Sequence, residues 1–166
     1  MLDGSGDDVV FGRVFEDMFE IDPFEDGVVA LGRAGGEEDL VGRGGVSLRE
    51  QWGDAPTAYL GITVPNFPNF FCMYGPGTNL AHGGSLIFHS ECQIRYIMEC
   101  LKAVLKQGHA AIECKASVHA DYQRRFRELH AKLIWEHASI KTSYYQNADG
   151  KVTLLWPWKI LDMWRW

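Results

Sequence analysis

Phe70-Phe71-Cys72-Met73-Tyr74, followed at once by Gly75-Pro76-Gly77-Thr78-Asn79, is the stretch on which the fold turns. Five apolar residues in a row, bounded by turn formers, read as a strand buried on both faces. Gly75-Pro76-Gly77 stops that strand abruptly. A strand end, then glycines, then a helix, exposes backbone N–H groups beside a positive helix terminus. Such a place suits an anionic or electron-rich ligand. A purely structural turn is the alternative reading of the same residues.

Downstream, Ser85 is positioned to cap a helix, and Gly108 to end it. Ile97, Cys100, Leu101, Val104 and Leu105 follow the i, i+3, i+4, i+7, i+8 spacing of a buried stripe. Glu91 and Arg95 form an i,i+4 pair, and Lys102 and Lys106 complement the helix C-terminus. Ala111–Cys114 reads as a connector or edge strand. A second helix is expected from an N-cap at Ser117, with Val118, Tyr122, Phe126, Leu129 and Leu133 as its apolar stripe. Asp149-Gly150 is a turn. The tail carries Trp156, Trp158, Trp164 and Trp166, a packing cluster or a partner surface.

Upstream, Ala58–Val64 reads as extended and Pro65–Asn69 as a turn. Phe11, Phe15 and Phe19 recur at helical spacing in a run from Val9 to Phe19, which Asp22-Pro23 ends. Asp26–Leu31 reads as a short strand.

The 166 residues make one domain at roughly 150 residues per domain. Net charge is -6 but uneven. Residues 1–50 hold 13 acids against 4 arginines, and 10 of the 18 glycines. Acidic, glycine-rich chain poor in aromatics favours loose structure, so residues 1–41 are expected to be poorly ordered and 42–166 to carry the fold. The boundary lies near Gly42–Gly45. No apolar run approaches the ~20 residues of a membrane span, and the acidic start lacks a signal-peptide pattern. A cytoplasmic protein with reduced thiols is the expectation.

Several chemistries lack support. Cys72, Cys92, Cys100 and Cys114 form no C-x-x-C pair, and no Cys/His spacing suits zinc. His130 and His137 share a helical face without a third ligand, so no metal site is assigned. Ser85, Ser90 and Ser143 sit in no G-x-S-x-G frame. Arg124, Arg125 and Arg127 make a small solvated patch without a nucleic-acid motif. Neither G-x-G-x-x-G nor G-x-x-x-x-G-K-[ST] occurs. No catalytic residue is assigned.

Taken together, several runs resemble a known family. They are Gly42–Val46, Gln51–Asp54, Pro56–Phe71, Tyr74–Leu80, Gly84–Met98, Tyr144-Tyr145, Asp149–Thr153 and Trp156-Pro157. This set is similar to the C-terminal part of class B flavin monooxygenases, the Baeyer–Villiger type, and most of all to the 4-hydroxyacetophenone monooxygenase-like branch. It covers about Gly42 to Trp166, and residues 1–41 have no evident counterpart.

The resemblance implies an α+β, mainly helical fragment: the strand–loop–helix end of an α/β FAD-binding domain with a helical extension. It implies FAD and NADPH as cofactors and a small-molecule ketone, converted to an ester or lactone, as substrate. Carried over, Gly75, Pro76, Gly77, Thr78 and Asn79 lie by the isoalloxazine ring. Leu80, His82 and Ser85 border the substrate pocket. The family's two glycine-rich dinucleotide motifs, and the signature between them, are not in these 166 residues. The chain is therefore expected to be inactive alone, or completed by another chain, with an exposed apolar face where the FAD-domain sheet packs. The alternative is a non-catalytic protein-interaction module derived from the fold.

Overall fold

A computed structural model describes residues 19–22, 40–80, 83–137, 139–140, 145–146 and 151–166. Its regular elements are strand β1 (Phe19–Asp22), helix α1 (Leu48–Trp52), helix α2 (Leu86–Gln107), strand β2 (Ala111–Cys114), helix α3 (Ala116–His130) and helix α4 (Ile160–Arg165). Short 3-10 turns lie at Arg43–Gly45 and Ile134–Glu136. The architecture is α+β and mainly helical, as expected.

Helix α2 begins and ends where local chemistry requires. Ser85 Oγ accepts the Phe88 N–H at 3.2 Å, satisfying one orphan donor of the first turn. Gly108 takes φ 69, a left-handed value that costs glycine little. The expected apolar stripe holds in part: Cys100 is buried and Ile97 and Val104 pack against the main core. His89, Cys92, Gln93, Tyr96 and Cys100 point inward, whereas Leu101 and Leu105 are exposed. Hydropathy spacing cannot separate a face buried within this chain from one that is apolar for another reason.

β1 and β2 pair antiparallel, Phe19 opposite Cys114 and Asp22 opposite Ala111. Phe19 thus ends in a strand, not in the helical run read from Val9; the rest of that run, the Asp26–Leu31 strand and the Asp149-Gly150 turn lie outside the described residues. The other edge of β2 is closed by Asn69. Its N–H donates to Ile112 O at 2.9 Å, and its amide side chain bonds Ala110 O and the Ile112 N–H.

Two sequence readings are corrected here. Ala58–Val64 is a buried reversal rather than an extended segment. Tyr59 N–H donates to Thr63 O at 2.8 Å around Leu60 and Gly61, both at positive φ, which is primed-turn geometry. Phe70–Tyr74 is not a strand buried on both faces. Only Phe71 forms a bridge, to Thr63, while Asn69 and Tyr74 take positive φ and bend the chain. Phe70 and Phe71 are half-buried, and Met73 and Tyr74 are exposed.

α3 starts at Ala116 with Lys115 at the cap position, so Ser117 is inside the helix. Tyr122 and Phe126 are buried as expected, Val118 and Leu129 are half-buried, and Leu133 lies beyond the helix. Arg124 and Arg125 pair with Asp121, and Arg124 with Glu128, on the solvent face. The tryptophan tail is largely packing. Trp156 is 1% exposed, and Trp158 and Trp166 pack on the same cluster as Tyr122 and Tyr96. The four cysteines are free thiols. Burial raises Cys72 and Cys114 to about 12, which keeps them inert. A smaller cluster of Leu48, Ala58, Val64 and Phe67 is closed by Gly42, whose N–H bonds Val46 O at 2.7 Å.

Candidate functional site

The residues read as a ligand loop form one turn. Pro76 presets the backbone and Gly77 takes φ 78, the arrangement of a type II turn from Gly75 to Thr78. Thr78 Oγ–H donates to Gly75 O at 2.6 Å and locks the turn from inside; Thr78 is fully buried. Asn79 then ties the turn to the tail. Its N–H donates to Leu154 O, and its carbonyl accepts the Trp156 N–H, both at 2.9 Å.

The glycines serve packing on the inward side. A Cβ on Gly77 would lie 2.8 Å from the Phe126 ring, and one on Gly75 would strike Cys72 and the Gly61 carbonyl. Their missing side chains therefore make room for protein. The outward side is different. Tyr74 is exposed and Asn79 and Leu80 are half-exposed. The start of the 22-residue helix α2 follows six residues after Leu80. Ser85 occupies one N–H of its first turn, and the remaining free end carries partial positive charge.

Of the other expected residues, Leu80 packs against the main core. Ser85 has its hydroxyl committed to the helix cap. His82 lies outside the described residues.

A second concavity was not read from sequence. A cleft of about 340 Å³ is lined by Pro76 and Gly77 at the tip of the turn, by Phe126, Arg127 and His130 of α3, and by Lys151. Phe126 and His130 stack with ring centroids 4.2 Å apart. The His130 Nε2–H donates to Leu155 O at 2.6 Å, leaving Nδ1 without a partner among the described residues. Burial pulls the His130 pKa down, against smaller upward pulls from the Leu155 carbonyl, Glu136 and the Val152 backbone, and so favours the neutral imidazole. The i,i+4 spacing of Phe126 and His130 was the available signal, but nothing in the sequence places α3 against the turn. Among the described residues no group of three His, Cys, Asp or Glu side chains converges on one point. No helix among them is long and apolar enough to cross a membrane.

No family profile matches the chain. Individual proteins do. It is 31% identical over 162 residues to a Baeyer–Villiger monooxygenase of Pseudomonas aeruginosa, covering 95% of this chain and 28% of that protein. It is 36% identical over 122 residues to an FAD-binding monooxygenase of Aspergillus niger, covering 71% of this chain and 20% of that one. A solved structure of an oxidized steroid monooxygenase bound to NADP superposes with TM-score 0.64 at 28% identity, over 76% of this chain and 23% of its own. The chain belongs to the Baeyer–Villiger monooxygenase family. It spans only about a fifth to a quarter of the length of these relatives. The Pseudomonas match takes in most of residues 1–41, so that acidic segment does have a counterpart in a Baeyer–Villiger monooxygenase, contrary to the sequence reading.

Proposed function

We propose that this chain supplies the C-terminal part of the FAD domain in an FAD- and NADPH-dependent Baeyer–Villiger monooxygenase acting on a small ketone. Residues 42–166 form that part, and the Gly75–Asn79 turn borders the flavin. The observation that carries the reading is the outer face of α2. Ile87, Ile94, Met98, Leu101 and Leu105 repeat at heptad spacing, yet Ile87 is 72% and Leu105 79% exposed. An exposed apolar stripe of this length, interrupted only by Glu91, marks a packing surface. In a chain matching a fifth to a quarter of its relatives, the rest of the monooxygenase is the natural occupant. Without the two dinucleotide motifs, these 166 residues do not turn over on their own.

FAD, when bound, supplies the redox and oxygen-activating chemistry. The chain's own residues do simpler work. Thr78 fixes the turn through the Gly75 carbonyl. Tyr74 and Asn79 present its outward edge, and the α2 N-terminus favours negative charge there. Leu80 and Ser85 follow the turn toward the substrate side.

The test is a graft. This chain replaces the matching stretch of the Pseudomonas aeruginosa relative, and the purified protein is examined for flavin absorbance and NADPH oxidation. A flavin-loaded graft supports the reading. A folded graft that carries no flavin overturns it and favours the interaction module. The chain alone should purify colourless; a stoichiometric flavin band would refute the reading that these residues do not hold FAD by themselves.

A further inference from the structure

We propose that Gln93 is a positioning residue that clamps the Gly75–Asn79 turn onto helix α2 through Tyr74. Tyr74 takes φ 52, a left-handed value that a side chain adopts only when its surroundings hold it there. The holder is Gln93. It is fully buried on the inner face of α2, and its Oε1 accepts the Tyr74 N–H at 2.9 Å. Tyr74 passes this restraint on. Its hydroxyl donates to Asn79 Oδ1 at 3.4 Å and accepts the Leu80 N–H at 3.3 Å, so one side chain spans the turn from its first residue to its last.

His89 completes the seat. It lies four residues before Gln93, and thus on the same face. It is fully buried, edge-on to Tyr74 at 6.2 Å and to Trp156 at 5.0 Å. Trp156 in turn donates its backbone N–H to Asn79 O. The turn is therefore gripped at Tyr74 from α2 and at Asn79 from the tail.

The polar character of this face supports a role in positioning. Neither His89 nitrogen nor Gln93 Nε2 has a partner among the described residues. Burying such groups is costly, and a leucine or methionine would fill the same space without that cost. Gln93 repays its burial only at Tyr74. That the clamped turn faces a flavin rests on the function proposed above; the clamp does not.

Amide hydrogen exchange of the purified chain tests it, comparing wild type with Gln93→Met, Gln93→Glu and Tyr74→Phe. Gln93→Met, similar in shape but without the acceptor, should speed exchange of the Tyr74 and Leu80 amides about 10-fold or more, with the amides of Tyr122 and Phe126 unchanged. Gln93→Glu keeps an acceptor and should restore protection at Tyr74. Tyr74→Phe should release the Leu80 amide alone. Wild-type exchange at Tyr74 in Gln93→Met, or an equal acceleration everywhere, overturns the clamp. If Gln93→Met does not fold, unchanged Leu80 exchange in Tyr74→Phe overturns it. The graft separates the two ideas. A folded graft without flavin removes the flavin reading and leaves the amide result standing. A flavin-loaded graft whose spectrum is identical in Gln93→Met overturns a role for the clamp in placing the turn.

Discussion

The two faces of helix α2 invert the usual rule. The inner face, buried within the chain, carries His89, Gln93 and Tyr96 beside Cys92 and Cys100. The outer face carries Ile87, Ile94, Met98, Leu101 and Leu105, and is open. Burial here follows hydrophobicity only in part: Phe88, Ile97 and Val104 pack against the core, but so do polar His89 and Gln93, while the larger apolar residues of the other face do not. The inner face must grip a turn and a tryptophan tail, which takes hydrogen bonds as well as packing. The outer face has the composition of a helix–helix or helix–sheet contact, yet among the described residues it is exposed.

That contrast can be broken first on the inner side. Trp156 is the largest fully buried side chain and packs against His89, Trp158 and Trp166. Trp156→Ala should destabilise the fold by about 3–5 kcal/mol, read by chemical denaturation. Gly77→Ala comes next. Its Cβ would press into the Phe126 ring at a left-handed φ, and a loss of about 2–4 kcal/mol is expected from overpacking and strain together.

Protons probe the same buried side. Burial lowers the pKa of His89, His119 and His130 in the folded state. The unfolded chain therefore binds more protons in mild acid. Their contribution to stability is full above the unfolded value of about 6.5 and is lost as pH falls from there through the folded values. Melting temperature should drop between pH 7.5 and pH 5; a flat profile would show these imidazoles to be solvated.

The outer face should be nearly silent in stability. Ile94→Glu with Leu101→Lys should change it by no more than about 0.5 kcal/mol, since neither side chain is buried. The same pair should abolish binding of an apolar fluorescent dye. A large loss of stability would mean that the stripe is already packed within this chain.

Much of this was legible in the sequence. The start and stop of α2 were, because capping is local chemistry: Ser85 and Gly108 act within one turn. The edge strand Ala111–Cys114 and the stripe residues Tyr122 and Phe126 were legible for similar reasons. The turn at Gly75–Thr78 is legible, but its glycines leave a ligand loop and a structural turn both open in the sequence; only the fold shows that Phe126 and Gly61 take up the space on their inward side. Only tertiary contacts reveal this. Phe70–Tyr74 looked like a buried strand because apolar runs carry no record of backbone sign. Asn69 and Tyr74 at positive φ break it. Gln93 and His89 were invisible because a polar residue on a helix reads as solvent-facing until its neighbours are known.

On the proposed function, the outer face of α2 is the seam to the rest of a flavin monooxygenase. The most direct measurement is the flavin content of the Pseudomonas graft with and without Ile94→Glu and Leu101→Lys. The account predicts a flavin-loaded graft whose cofactor is lost when the seam is charged, while the isolated chain carrying the same changes keeps its melting temperature. A charged graft that retains its full flavin complement would contradict it.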